Sequence, residues 1–130
     1  MYYFEKDYIM RLIHGISRML ARMFLYGEVE EEGEAITLRS LSLRQEDDYL
    51  RRMIDAGQIN EAENRLFELI ESSAWEPKQL AALILAFYDY ANSKEDEFLA
   101  DAGFSREEII SGLEEGMSAV GMEIPEYLRI

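Results

Sequence analysis

Residues 80–88 read LAALILAFY and form the longest uninterrupted apolar run in the chain. A transmembrane helix needs about 20 apolar residues, so this nine-residue run is too short to cross a bilayer. A helix that is apolar on nearly every side is typical of the buried centre of a soluble bundle. With Pro77 ahead of it and Asp89 behind it, the run predicts a core helix over about residues 78–91.

The composition of the 130-residue chain indicates an all-α protein. Leu, Ile, Met, Ala, Glu and Arg dominate, and most of these are good helix formers. Strands favour β-branched residues, yet Val occurs only at Val29 and Val120 and Thr only at Thr37. We therefore expect a single helical domain over residues 1–130, with five to six mostly antiparallel helices arranged as hairpins around residues 78–91.

Hydrophobic periodicity, capping residues and glycines divide the chain into predicted helices. The predicted spans are about residues 5–26, 43–56, 61–73, 78–91, 94–102 and 106–118. The predicted N-terminal capping pairs are Ser42 with Gln45, Asn60 with Glu63, Ser93 with Asp96, and Ser105 with Glu108. Residues 28–34 contain five glutamates, whose mutual repulsion predicts a solvated acidic loop after the first helix.

The formal net charge of −14 argues against nucleic acid as a partner, because binding a polyanion requires a basic surface. The charge is unevenly distributed along the chain. Residues 1–27 carry four basic and two acidic side chains, whereas the other 103 residues carry nine basic and 25 acidic ones. The N-terminal segment therefore has a formal charge of +2, and the rest of the chain has −16.

The predicted helix over residues 5–26 is the clearest amphipathic segment and the leading candidate for an interaction surface. Its apolar residues recur at spacings of three and four, and its arginines line another face. The candidate residues are Ile9, Leu12, Ile16, Met19, Met23, Phe24, Arg11, Arg18 and Arg22. Three interpretations stay open: the helix packs into its own domain, pairs with a second copy or a partner protein, or lies on an anionic membrane surface. The −16 on the rest of the chain opposes the membrane interpretation.

No stretch carries a signature of catalysis, metal binding or a cofactor. The chain has no cysteine, which removes disulfides, thiolate ligands and cysteine nucleophiles. Its single histidine, His14, has neither a nucleophile nor an orienting acid that the sequence identifies. The Glu-x-x-His pairs of a di-metal helical bundle are also missing from the sequence. We therefore expect no catalytic, metal-binding or cofactor-binding residues, and the sequence favours a protein that is not an enzyme.

A second functional hypothesis concerns the end of the core helix, where Tyr88, Asp89 and Tyr90 combine aromatic and acidic groups. Such groups can line a pocket. The alternative function is therefore a small-ligand binder or an enzyme that uses carboxylates and tyrosines in an interhelical cleft. The simpler interpretation is that a buried helix reaches the surface here and its hydroxyl groups meet water.

Two resemblances follow from particular motifs. GQINEA at residues 57–62, within residues 50–69, resembles the turn between the two helices of a tetratricopeptide repeat, which implies one helical hairpin. The chain as a whole resembles a family of small bacterial proteins of unknown function, through FEKDYI at residues 4–9, NEAENRLF at 60–67 and FSREEI at 104–109. That second resemblance implies a helical fold in bacteria and supplies no activity and no functional residue.

The leading hypothesis is a cytoplasmic bacterial scaffold that acts through protein–protein contact, as a homodimer or with another protein. This hypothesis depends on two observations: the sequence has no catalytic signature, and the predicted basic amphipathic helix over residues 5–26 is distinct from the acidic remainder of the chain. Arg18 and Arg22 interrupt the N-terminal apolar stretch, which is not typical of a secretory signal. Peripheral membrane attachment through the first helix is a further alternative.

Overall fold

The computed structural model describes residues 2–24, 41–72 and 74–126. Within these ranges the chain forms six α-helices and no strand. They are α1 (Tyr2–Phe24), α2 (Leu41–Asp55), α3 (Ile59–Ser72), α4 (Pro77–Asn92), α5 (Asp96–Ala102) and α6 (Arg106–Ala119). These helices correspond one to one with the predicted spans and confirm the all-α class. The predicted acidic loop at residues 28–34 lies outside the described residues, and the mostly antiparallel packing stays a prediction.

Helix α4 is the centre of the bundle and contacts α1, α2, α3 and α6. Ten of its 16 residues are buried, and Leu83 and Ile84 have no exposed surface. The predicted central position of this segment is therefore confirmed. Among the described helices, none is both long enough and apolar enough to cross a bilayer.

All six helices contribute side chains to one hydrophobic core. Representative members are Ile9 of α1, Leu50 of α2, Leu66 of α3, Leu83 of α4, Leu99 of α5 and Leu113 of α6. An amphipathic helix alone cannot cover its apolar stripe, and here each stripe is buried by packing against the others. Burial of these side chains is the main source of stability, at about 25 cal/mol per Å² of apolar surface.

The turn between α2 and α3 is closed by Gly57. Its φ of 82° is left-handed, a conformation that glycine adopts without the steric cost of a Cβ. The N–H of Gly57 donates to the carbonyl of Ile54, and the N–H of Gln58 donates to the carbonyl of Met53, both at 2.9 Å. These bonds satisfy the last carbonyls of α2. The two helices follow each other through this short turn, and their likeness to a tetratricopeptide hairpin stays a prediction.

The capping box predicted for α6 is confirmed. The hydroxyl of Ser105 accepts a hydrogen bond from the N–H of Glu108 at 3.1 Å, and the Glu108 carboxylate accepts one from the N–H of Ser105 at 2.7 Å. These reciprocal bonds satisfy donors that the first turn of a helix leaves unpaired. The pair predicted at Ser42 and Gln45 involves the Ser42 side chain, which is outside the described part.

The capping role predicted for Asn60 is wrong. Helix α3 already begins at Ile59, so Asn60 lies inside its first turn. The Asn60 amide donates to the carbonyl of Gly103, at 3.3 Å. The predicted partner, Glu63, instead accepts a hydrogen bond from Tyr88. Short polar side chains bond to whichever backbone or tertiary group lies within reach, and here tertiary partners take both residues.

The capping role predicted for Ser93 is also wrong. Ser93 follows the last residue of α4, and its hydroxyl donates to the carbonyl of Tyr90 at 2.6 Å. The residue that precedes α5 is Glu95. Asp96 accepts hydrogen bonds from Arg106. Ser93 therefore completes the end of α4 and does not begin α5.

Candidate interaction surfaces

The apolar stripe of α1 packs on α4 and α6 within this chain. Ile9, Leu12 and Ile16, which the sequence suggests for an interaction surface, are at most 1% exposed. These three side chains belong to the core and not to an exposed surface, because their spacing places them on the face that meets the bundle. Met19 is partly buried and packs against the same core. The side chains of Arg22, Met23 and Phe24 lie outside the described residues.

The opposite face of α1 is exposed and basic. We define the outer face of α1 as Met10, Arg11, His14 and Arg18, all of which are exposed. Residues three and four apart are neighbours on a helix surface, so these side chains form one strip. Met10 is 51% exposed and is one of two large apolar side chains exposed among the described residues. The predicted separation of the arginines from the apolar stripe is therefore observed for Arg11 and Arg18.

The structure places Tyr88, Asp89 and Tyr90 in different surroundings. Tyr88 is fully buried, Asp89 is exposed and Tyr90 is partly buried. Consecutive residues of an α-helix are turned by about 100° from each other, so their side chains leave the helix in different directions. The two hydroxyl groups reach carboxylates on different helices, and the three side chains do not come together.

Tyr88 lies between three helices. A Cβ at Gly112 of α6 would overlap the Tyr88 ring, so only a residue without a side chain allows this close approach. The Tyr88 hydroxyl donates to the Glu63 carboxylate of α3 at 2.5 Å. Burial raises the pKa of the Tyr88 hydroxyl, and the charge of Glu63 adds to this. The contact joins α3, α4 and α6.

Burial also raises the pKa of the Glu63 carboxyl. The hydrogen bond from Tyr88 opposes this shift, and the negative charges of Glu108 and Glu115 add to it. A carboxyl whose pKa is higher in the folded state binds its proton more tightly there than in the unfolded chain. Ionisation of Glu63 therefore disfavours the folded state, and this effect sets in as the pH rises above the ordinary value of 4.5.

Glu63→Gln is expected to remove this pH dependence. The amide oxygen still accepts a hydrogen bond from Tyr88, whereas the buried charge is lost. Urea unfolding between pH 4.5 and neutral pH should show a smaller loss of stability with rising pH than in the wild type. Near neutral pH the variant should be at least as stable. The control is Glu61→Gln at an exposed position of the same helix; a steeper pH dependence in Glu63→Gln would contradict the prediction.

Tyr90 takes part in a surface cluster. Its hydroxyl and the Lys94 ammonium group both donate to Asp55, at 2.7 and 2.6 Å. The Lys94 bond, followed by the Tyr90 bond, lowers the pKa of Asp55. The Arg51 guanidinium group lies 4.6 Å from the centre of the Tyr90 ring, a cation–π contact. This cluster links the end of α2 to the end of α4, which indicates a structural role.

A buried arginine that the sequence analysis did not single out connects four helices. The Arg106 side chain is only 4% exposed, although it stands at the first position of α6. Its guanidinium group donates to the carbonyl and side-chain oxygens of Asn92, to the carbonyl of Lys94 and to the Asp96 carboxylate, over 2.7–3.2 Å. The Asn92 amide in turn donates to the carbonyl of Lys6 in α1, at 3.2 Å. This network holds the end of α4 against the starts of α1, α5 and α6.

A groove of about 710 Å³ lies between α5 and the start of α6. We name it the α5–α6 groove. Its lining includes the buried side chains of Leu99 and Phe104, which form an apolar floor. The carboxylates around this floor belong to Glu5, Asp96, Glu97, Glu107 and Glu108. The groove therefore combines an apolar floor with a strongly acidic rim.

Two further depressions lie on the surface, and their lining residues carry different charges. The α3–α6 cleft, of about 440 Å³, is lined by residues that include Glu63, Glu71 and Glu115. The α2–α3 groove, of about 670 Å³, has Arg65 and Glu46 among its lining residues, and these two form an ion pair at 2.8 Å. Within the described ranges, no group of three or more His, Cys, Asp or Glu residues could hold a metal ion.

The described helices define a small all-α bundle centred on α4, in which the buried Asn92 and Arg106 connect helices to each other. The chain belongs to a family of unknown function, DUF6483, whose family model matches residues 3–121. The predicted resemblance to an uncharacterised helical family is therefore confirmed. No curated protein and no solved structure matches the chain.

Proposed function

We propose that the chain is a non-enzymatic helical scaffold that acts through protein–protein contact and forms a homodimer. The observation that carries this proposal is the outer face of α1, which is exposed and basic while the opposite side of the helix is anchored in the core. Because the core holds the helix in place, this face is available without the entropic cost of ordering it on binding. In keeping with the cysteine-free composition, we place this function in the cytoplasm.

The charge distribution supports a protein partner over a membrane or a small ligand. The basic outer face is complementary to acidic protein surfaces, and most of the remaining chain is acidic. The same acidic remainder would be repelled by anionic lipids. Tyr88 and Tyr90 donate to carboxylates of their own chain, which favours a structural role over participation in a ligand pocket.

Sedimentation velocity tests the proposal. At tens of micromolar and low salt, the wild-type chain should sediment as a dimer of 15.2 kDa subunits, and the dimer should weaken as salt screens the charges. Changing both Arg11 and Arg18 to Glu should produce a monomer that keeps its circular dichroism spectrum. A single Arg18→Glu change should weaken the dimer, whereas Arg52→Glu at an exposed position of α2 should leave it intact. A wild-type chain that stays monomeric under these conditions overturns the proposal.

A further inference from the structure

We infer that the α5–α6 groove is the docking site for the outer face of α1 from a second copy of the chain. The inference depends on the proposed homodimer and identifies which two surfaces meet in it. It follows from the charge of the two surfaces, from the one large apolar side chain on the outer face, and from a comparison with the other depressions.

The outer face of α1 cannot pack well on itself. Two copies placed face to face would bring Arg11 and Arg18 of one copy against the same arginines of the other, and like charges in an interface are unfavourable. A symmetric α1–α1 contact is therefore disfavoured. The outer face requires an acidic surface, and the described part of the chain offers one at the rim of the α5–α6 groove.

The rim carboxylates are available and partly held in position. Among the described residues that line the groove, Arg106 is the only basic one, and it is already bound to Asp96. The Glu108 carboxylate is held by the N–H of Ser105. Among the ion pairs of the described residues, none involves Glu97 or Glu107. Among the described residues, Glu97 and Glu107 thus give the groove negative charge that no ion pair neutralises.

The groove also offers an apolar floor for Met10. This side chain is exposed in the isolated subunit, and its flexible thioether can adapt to an irregular apolar surface. Leu99 and Phe104 lie beneath the rim of the groove. The outer face extends from Met10 to Arg18, which is about 12 Å at the 1.5 Å rise of an α-helix. Met10 in the groove would leave the arginines to meet the acidic rim.

The other two depressions fit the outer face less well. In the α2–α3 groove, the Arg65 side chain is 39% exposed and would repel an incoming arginine, and it pairs with Glu46 and Glu68. The Arg106 side chain of the α5–α6 groove is only 4% exposed. In the α3–α6 cleft, Glu63 is occupied by Tyr88, and Phe67 is the only apolar side chain larger than alanine among the described lining residues. The α5–α6 groove combines an acidic rim with the apolar side chains of Leu99, Ala100 and Phe104.

The contact joins two different surfaces, so a two-fold dimer contains it twice. Each subunit then inserts its outer face into the groove of the other, and both grooves are filled.

This arrangement makes a charge-exchange experiment possible. The face variant carries Arg11→Glu and Arg18→Glu, and the groove variant carries Glu97→Arg and Glu107→Arg.

Each variant alone should be monomeric, because the face variant places acidic residues against an acidic rim and the groove variant places basic residues against a basic one. An equimolar mixture should form a heterodimer, since both of its contacts again join opposite charges. Sedimentation velocity and native mass spectrometry distinguish these species. For each variant measured alone, we expect the dimer dissociation constant to rise at least about ten-fold. In the equimolar mixture, the heterodimer should recover most of the lost affinity.

Two further variants keep the result interpretable. Glu97→Gln with Glu107→Gln removes the charges without adding repulsion, and should weaken the dimer less than the groove variant. Glu71→Arg with Glu115→Arg reverses charge in the α3–α6 cleft and should leave the dimer unchanged. Urea unfolding and circular dichroism on every variant show that it is folded.

If the wild type is a dimer and the groove variant is a dimer of similar affinity, the docking site is overturned and the proposed homodimer stands. A mixture that does not associate, although both variants are folded, overturns the pairing of these two surfaces. A monomeric wild type overturns the homodimer and the docking site together. Loss of the dimer in the α3–α6 cleft variant but not in the groove variant assigns the contact to that cleft instead.

Discussion

Replacing Arg106 with methionine is expected to destabilise the fold by about 3–5 kcal/mol. The Arg106 side chain is 4% exposed, and the bonds from its guanidinium group to Asn92 and Lys94 satisfy oxygens at and just after the end of α4. Methionine keeps the packing of the aliphatic stem but leaves these acceptors without a donor. Asp96 is 56% exposed, so loss of that ion pair contributes little. The expected loss therefore comes mainly from the carbonyl and amide oxygens.

Urea unfolding of the variant measures this effect. Arg52→Met is the matched control at an exposed position of α2, and it should change the free energy of unfolding by no more than about 0.5 kcal/mol. Arg106→Lys should remain strongly destabilising, because a lysine ammonium group cannot reproduce the planar fork of an arginine. A loss below about 1 kcal/mol for Arg106→Met would show that water satisfies the end of α4 and that the network is not required.

Replacing Tyr88 with alanine is expected to cost about 3–5 kcal/mol. The ring is fully buried and meets Phe87 edge to face, with ring centres 4.8 Å apart. It also fills the space above Gly112. Because Gly112 has no side chain that can move into the vacated volume, the substitution leaves a cavity. The loss of the hydroxyl also leaves the Glu63 carboxylate without its donor.

Two further substitutions separate the contribution of the Tyr88 ring from that of its hydroxyl group. Tyr88→Phe keeps the ring and removes only the hydrogen bond, so we expect a loss of about 1 kcal/mol. Tyr90→Ala removes a partly buried ring and its bond to Asp55, so its effect should be well below that of Tyr88→Ala. Urea unfolding again provides the measurement. Equal losses of unfolding free energy in Tyr88→Ala and Tyr90→Ala would contradict the assignment of Tyr88 to the core.

The helices and the position of the central one could be predicted from the sequence because their signals are local. Apolar spacing marks the stripe of each helix, and Gly57 marks the end of α2. The run at residues 80–88 is apolar on nearly every side, so it had to be buried whatever the neighbours were. The capping box of α6 was predictable for the same reason, since Ser105 and Glu108 interact within one helical turn.

The candidate surfaces were only partly predictable. Spacing within α1 separated the apolar stripe from the arginines, but it could not show whether that stripe is covered by the same chain or by a partner. Packing on α4 and α6 shows that Ile9, Leu12 and Ile16 are covered by their own chain. The α5–α6 groove was not predictable, because its lining comes from three helices.

The sequence by itself determined where the helices lie, which helix is central and which face of α1 is basic, since periodicity and charge belong to the chain alone. The tertiary structure decided the partners of the polar side chains that bond across the fold. Tyr88 and Tyr90 bond to carboxylates 25 and 35 residues away, and Asn60 bonds to a carbonyl 43 residues away. Arg106 stands at a helix start, where a cation is locally unfavourable. Only the oxygens at the end of α4, brought close by packing, explain why it is buried there.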